Sequence, residues 1–264
     1  DQRTNMLFYV DGECFWQVTE NKNDPNTLFA LALDSNVLTP TARVVALKKG
    51  GADGIWESWR AEDLATPEAF AANPALVQRF YNERRRQLLS GEIQPNAAHR
   101  ALALLERESA ASFTLVTQNV DNLHELAGSD NILHMHGELL QARCNHCGCS
   151  FAVDHDLEQG FRCPECATVG SMRPNVVWFG EIPLHMEAIA NKLGQCDLFL
   201  AVGTSGTVYP AAGFVEQVPP GTRTIEINLE PSLVQSRFTE HVYGKAGEVL
   251  PKLVAELLGT GEAN

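Results

Sequence analysis

The chain has 264 residues, 44% of them hydrophobic, and a formal net charge of −13. That length holds one large domain or a domain with an attached module, and the apolar share excludes a chain disordered throughout. The acidic balance argues against the basic face of a nucleic-acid binder, no apolar run is long enough to span a membrane, and the opening DQRTNMLFYVDGECFW lacks the charged-then-apolar order of a secretory signal.

Residues 1–40 carry one turn signal, Asn23-Asp24-Pro25-Asn26, and no assignable role. The run Val44-Val45-Ala46-Leu47 reads as the first strand of a nucleotide-binding sheet. It meets Lys48-Lys49-Gly50-Gly51, which bears glycine but is no G-x-G-x-x-G turn. Around residues 62–90 the pattern turns helical: TPEAFAANPALVQRFYNERRRQLL predicts two helices, opened by Pro67 and Pro74. QPNAAHRALALLERE predicts a third, with Pro95 near its start. FTLVTQNVD, DLFLAVGTSG and RTIEINLEP then read as strands that end in polar or glycine-bearing turns. Strands alternating with helices predict an α/β fold on a doubly wound parallel sheet, with ligands beyond the carboxyl ends of its strands.

A different composition interrupts this pattern. Seven cysteines are an odd number, and four form two pairs, Cys144-x-x-Cys147 and Cys163-x-x-Cys166, with fifteen residues between the pairs. Each pair makes a knuckle with two thiolates, and two knuckles close a tetrahedral site around one zinc ion. Four thiolates leave no position for water, so the ion is structural. His146 and Cys149 lie nearby, but the matched pairs need neither; Cys14 and Cys196 read as ordinary apolar positions. The expected module covers 141–171, inserted between the two parts of the larger domain, 41–140 and 172–255, with a tail at 256–264. Metal-spaced cysteines favour a reducing compartment, the cytoplasm, with the mitochondrial matrix as the alternative.

Two stretches carry chemistry. TQNVDNLHELAG places Gln118, Asn119 and Asp121 just beyond a strand, which suits a ligand pocket or equally an Asx turn with a helix cap. ILHMHGEL places His134 and His136 two apart on an extended segment; one is expected inward and structural, the other free for acid–base work or display, and periodicity leaves open which is which.

TQNVDNLHELAG, HMHGEL, the two C-x-x-C pairs, RPNVVWFGE, VGTSGTVYPAA and INLEP stand in the order and spacing of the sirtuins, which this chain resembles from about Arg43 to Leu250. Sirtuins are NAD-dependent protein-lysine deacylases. The resemblance implies a Rossmann-like NAD domain with a small inserted zinc ribbon, NAD as cofactor, acyl-lysine proteins as substrates, and a monomer. It makes His136 the general base on a ribose hydroxyl, with nicotinamide and acyl-ADP-ribose as products. It places Gln118, Asn119 and Asp121 around the nicotinamide ribose, with Asn119 also catalytic. Gly203, Thr204 and Ser205 would meet the phosphates and ribose, Asn228, Leu229 and Glu230 the adenosine end, and Ala246 the adenine side. Val177, Phe179, Gly180 and Glu181 would form a strand edge that pairs with the substrate backbone. Tyr81 and Arg84, three apart on a helix, match the pair that binds the acyl carboxylate in the branch removing succinyl and malonyl groups; the alternative is a solvated basic face, since Arg85 and Arg86 follow.

One family feature is missing. After the first strand, relatives carry a Gly-Ala-Gly turn, a serine-rich stretch and a Phe-Arg; here Leu47 passes straight to Lys48, and the pattern resumes at GADGIWESW. The break reads as a cofactor loop omitted from this sequence. A true deletion would leave an inactive lysine-peptide-binding protein, and a third reading keeps NAD chemistry but transfers ADP-ribose or hydrolyses NAD. Peptide mapping of the purified protein is expected to recover additional residues between Leu47 and Lys48; a peptide that joins the two directly would establish the deletion.

Overall fold

The computed structural model describes residues 64–204, 206 and 208–260 in full, and of the remainder the backbone of four strands. These four are β1 (Asn5–Val10), β2 (Thr27–Phe29), β3 (Arg43–Lys48) and β4 (Ser58–Arg60). Helices α1 (Pro67–Ala72), α2 (Pro74–Leu89) and α3 (Ala97–Glu108) follow, then β5 (Ser112–Thr117), α4 (Leu123–Ala127) and β6 (Ile132–His134). Next come β7 (Gly137–Cys144), β8 (Ser150–Ala152), β9 (Met172–Val176) and α5 (Met186–Leu193). The last elements are β10 (Leu198–Val202), β11 (Arg223–Asn228), β12 (Glu240–Tyr243) and α6 (Ala246–Leu257). The expected helix starts hold for a local reason: Pro67 and Pro74 sit in the first turns, and the Thr66 and Asn73 side chains accept from Ala69 and Leu76 amides.

The chain divides into two compact units. The first comprises Asp1–Cys14, Gln94–Met135 and Leu184–Asn264, and the second Phe15–Ile93 and His136–Pro183. The first unit holds a six-stranded sheet in the order β12-β11-β10-β1-β5-β6, with every pairing parallel. Strand β10, Leu-Phe-Leu-Ala-Val, is buried throughout. Leu198, Leu200 and Val202 pack with Ala98, Leu102 and Leu105 of α3 and Leu250 and Val254 of α6. Phe199 and Ala201 pack instead with Ile189, Leu193, Phe214 and Phe238. Helical layers on both faces require a strand apolar on both sides, which is the doubly wound solution.

The structure corrects one expectation. The central strand of the parallel sheet is β1, between β10 and β5, and not Val44–Leu47. The latter lies in β3, paired antiparallel to β2 and β4. Asn-Met-Leu-Phe-Tyr-Val and Arg-Val-Val-Ala-Leu-Lys are both apolar runs of strand length, and periodicity alone cannot say which takes a single central slot. The break expected between Leu47 and Lys48 falls inside β3, where both residues pair with β2, opposite Leu28 and Thr27; residues 49–57 lie outside the described residues.

In the second unit β7 is the centre of a three-stranded antiparallel sheet, β8-β7-β9. It packs a small core of Ala142, Cys144, Val153, Leu157, Cys163 and Met172. The two units thus cut the chain at places other than the expected domain limits: the cysteine-rich segment shares a compact body with the helices around 67–89. Gly137 opens β7 in the left-handed region, φ +81°, and a Cβ there would overlap the Asn175 carbonyl oxygen. Gly137→Ala is therefore expected to cost roughly 2–4 kcal/mol in a urea melt, from strain and steric overlap together.

Candidate active site and metal centre

In the first unit the chain builds β1, β5 and β6 in one direction across the sheet, then returns to build β10, β11 and β12 in the other. The order therefore reverses between β1 and β10, and a crevice beyond the carboxyl ends is the expected ligand position. Val10 is level with Thr117 on one side and Val202 on the other, so the turns after β5 and β10 start about 10 Å apart.

The turn after β5 holds Gln118, Asn119 and Asp121. Thr117 shapes it, its Oγ1 accepting from the Asn119 amide at 3.0 Å. Asp121 Oδ1 accepts from the Leu123 amide at 3.0 Å, opening α4. The rest of this polar cluster is unsatisfied: Gln118 Nε2, Asn119 Nδ2, Asp121 Oδ2 and Asn122 Oδ1 are buried without a hydrogen-bond partner. Buried polar groups are ordinarily paired, and four together at a switch point mark a place built for a polar ligand. Burial pushes the Asp121 carboxyl up to about 6, against the Leu123 amide and the nearby His134. Beneath the turn, His99 and His124 lie with ring centroids 4.7 Å apart. Burial lowers them to about 4 and about 3, so both are neutral.

After β10, Gly203 takes φ +69° and its amide donates to the Ile227 carbonyl at 2.8 Å. Asn228 closes β11, its Nδ2 donating to the Thr204 carbonyl at 2.8 Å. Asn228 also reaches Glu226, a fully buried carboxylate that accepts from Ser232 N and Tyr243 Oη as well. The Asn228 carbonyl accepts from Gly244, two residues before Ala246 opens α6. Gly203, Thr204, Asn228 and Ala246 thus share one end of the sheet. Leu229 and Glu230 are exposed, and Ser205 lies outside the described residues.

The second unit holds the other candidates. His136 sits half-buried in the turn after β6, its carbonyl accepting from Val177 N at 2.8 Å. Two apart, the histidines of HMHG would share a face of one continuous strand, but β6 ends at His134 and their surroundings differ. His134 is buried and its Nε2 meets Glu125 Oε1 at 2.6 Å.

The segment Val177–Glu181 differs from expectation. Strand β9 stops at Val176, and the next residues fold into a turn. The amides of Val177, Phe179 and Glu181 donate to the carbonyls of His136, Ala65 and Trp178. The cause is Glu181, whose carboxylate accepts from Arg143 at 2.6 Å, Arg173 at 2.7 Å and Trp178 N at 2.8 Å. Burial would raise its carboxyl, but the Arg173 bonds, the Trp178 amide and both guanidinium charges hold it below the usual range. Glu181 is an anchor of the turn, and the exposed members of the segment are Phe179 and Gly180.

Tyr81 and Arg84 are both buried, at 5% and 9% exposure, which excludes the solvated basic face. Tyr81 Oη accepts from Trp178 Nε1 at 2.8 Å. Burial pushes its hydroxyl up to about 12. The Arg84 guanidinium lies 3.2 Å from the Phe80 ring centroid, and burial lowers it to about 9. Trp178, Arg173 and Arg143 escaped the sequence reading, because their roles depend on meeting one distant carboxylate.

The four cysteines of the two C-x-x-C pairs converge, with all sulfurs within 4.8 Å of one another. Both knuckles close the same way: Gly148 N donates to Cys144 O and Ala167 N to Cys163 O, each at 2.9 Å. The donor set and its closed geometry fit a structural zinc ion. The fifth thiol, Cys149, lies 3.3 Å from Cys163 Sγ, a proximity the sequence reading set aside.

Comparison with known proteins agrees with this arrangement. A profile of the Sir2 family matches residues 48–210. An NAD-dependent protein deacylase of Pasteurella multocida is 54% identical over 207 residues, 78% of this chain and 88% of that protein. One of Vibrio cholerae is 55% identical over 78% of this chain and 84% of its own length. A crystal structure of a Sir2 homologue–NAD complex has a TM-score of 0.73 and 33% identity, covering 96% of this chain and 90% of that one. The structure of Sir2Af2 bound to a myristoylated histone peptide has a TM-score of 0.64 and 26% identity, covering 96% and 91%.

The raised Asp121 carboxyl makes a stability prediction. Its folded value, about 6, exceeds the ordinary 3.8, so its contribution is full below pH 4 and is lost as pH rises through 6. Asp121→Asn removes that loss. The variant is expected to be more stable than the parent by about 2 kcal/mol at pH 8, with the gap closing toward pH 4, in urea melts across that range.

Proposed function

Because this chain belongs to the Sir2 family, we propose that it removes acyl groups from protein lysines with NAD, giving nicotinamide and acyl-ADP-ribose, and that it takes succinyl and malonyl as well as acetyl groups. The observation that carries the reading is the unsatisfied polar cluster beyond β5. Gln118, Asn119, Asp121 and Asn122 bury donors and acceptors at the switch point of a parallel sheet, as a ribose and a carboxamide would require.

Bound NAD supplies an electrophilic ribose carbon with nicotinamide as its leaving group. The chain's residues do the rest. Gln118, Asn119 and Asp121 orient the nicotinamide ribose, and Asp121 gains the partner that its Oδ2 lacks. Gly203 and Thr204, joined by Ser205, hold the middle of the dinucleotide, and Asn228, Leu229, Glu230 and Ala246 its adenosine end. His136 takes a proton from a ribose hydroxyl. Phe179 and Gly180 meet the substrate on the exposed part of the turn, while Val177 and Glu181 hold that turn in place. Cys144, Cys147, Cys163 and Cys166 hold one zinc ion, whose contribution is to folding: thiolate sites of this kind supply roughly 10–16 kcal/mol in small metal-folded domains.

Support for the acidic acyl branch comes from Tyr81 and Arg84. A guanidinium and a phenol one helical turn apart offer the donors that a carboxylate takes in charge-assisted bonds. The protein is expected to act as a monomer in the cytoplasm; no helix among the described residues is long and apolar enough to cross a membrane.

Mass spectrometry of products from matched acetyl- and succinyl-lysine peptides tests the whole reading. Acyl-ADP-ribose is expected from both, whereas ADP-ribose on protein or in solution would favour the transferase or hydrolase reading. His136→Ala is expected to lose turnover on both peptides with an unchanged melt. Arg84→Met should lower desuccinylation roughly 10- to 100-fold, the worth of a charge-assisted bond, with deacetylation kept within about threefold. Equal losses on both peptides would sink the acyl-pocket assignment.

A further inference from the structure

Helix α2 carries a second set of polar residues beside Tyr81 and Arg84. Gln78, Asn82 and Arg85 recur at i, i+4 and i+7, within about 60° of one another around the helix. All three are buried, Arg85 completely. Each reaches main chain far away in sequence. Gln78 Nε2 donates to the Met172 carbonyl of β9 at 2.8 Å. Asn82 bridges Leu157 in both directions, Nδ2 donating to its carbonyl and Oδ1 accepting from its amide, each at 2.9 Å. Arg85 donates through Nε to the Leu139 carbonyl of β7 at 3.1 Å, and through Nη1 to Asn82 Oδ1 at 2.7 Å and the His155 carbonyl at 3.4 Å.

Apolar packing tolerates small rotations of a helix, because dispersion contacts have little direction. Hydrogen bonds do not, since they weaken steeply off line. Three anchors spread over about 10 Å of α2 therefore fix its roll against β7, β9 and the 155–157 segment. Tyr81 and Arg84 stand on the adjacent face, about 40° and 100° around from Arg85. A roll of only about 10° at the helix's outer radius of roughly 5–6 Å displaces a side-chain end by about 1 Å. That is enough to break a charge-assisted bond whose ordinary length is about 2.7–2.9 Å.

We propose that Asn82 and Arg85 are positioning residues for acyl recognition: they hold α2 at the roll that presents Tyr81 and Arg84 to the carboxylate of a succinyl or malonyl group. The inference rests on the acyl-pocket reading given above. An acetyl group makes no such bond and is indifferent to the roll, so the two residues set selectivity and not general competence.

The test compares Asn82→Leu, Arg85→Met and Arg85→Lys with the parent. It measures kcat and KM on matched succinyl- and acetyl-lysine peptides, KM for NAD, bound zinc, and calorimetric binding of the succinyl peptide. KM and Kd for the succinyl peptide are expected to rise about tenfold in Asn82→Leu and Arg85→Met, with Arg85→Lys intermediate. Acetyl-peptide and NAD values should stay within about twofold and zinc should be retained. Equal change on both peptides, or none on either, overturns the inference. If those variants fail to fold, Gln78→Met removes one anchor at the end of the ladder; a selective rise of about threefold is expected, and its absence counts as the same refutation. A parent enzyme that leaves succinyl-lysine untouched would instead overturn the acyl-pocket reading, and this inference with it.

Discussion

A guanidinium or carboxylate taken out of water must find partners, and much of the second unit is arranged around that requirement. Arg173 and Arg85 are among its largest fully buried side chains. Arg173 pairs with Glu181 and lies over the Trp178 ring, 3.1 Å from its Cζ, and Arg85 reaches three acceptors along α2 and beyond, with Arg173 Nε and Arg85 Nη2 left without a partner. Each solution ties distant segments together: Glu181 folds the turn after β9, the turn places Trp178, and Trp178 donates to Tyr81. Removing one member would strand another charge in a dry interior, which costs far more than a surface pair.

The same rule separates scaffold from site in the first unit. Glu226 is completely buried, yet Asn228, Ser232 and Tyr243 all donate to it. The turn after β5 is also buried, yet four of its polar atoms have no partner. A satisfied buried group stabilises; an unsatisfied one is an outlay that folding alone does not recover. Stability forgone at a switch point, where parallel sheets bind ligands, is what a binding site requires of its scaffold.

Much of this was legible along the chain because it rests on local patterns. Pro67, Pro74 and their capping residues act within one helical turn. The two C-x-x-C knuckles are set by their own four-residue geometry, and convergence of the sulfurs follows once both exist. The strands ending at Thr117, Val202 and Asn228 announce themselves by apolar runs that stop at polar turns. Arg85 was illegible for the opposite reason. Read beside Arg84 and Arg86 it belongs to a charged run, and only its spacing from Gln78 and Asn82 hinted at a buried ladder. The anchoring role of Glu181 was illegible because its partners, Arg143 and Arg173, lie on two different strands.

Sequence by itself determined the kind of fold and the two cysteine knuckles whose sulfurs converge, since each depends on residue type and short spacing. Tertiary structure alone decided which of two equivalent apolar runs, Asn5–Val10 or Arg43–Lys48, occupies the centre of the parallel sheet. It also decided that Val177–Glu181 turns where a strand edge was expected, and that Arg84 and Arg85 of α2 face inward while Arg86 stays exposed. These outcomes depend on long-range partners competing for one position, and a linear pattern carries no record of which partner wins.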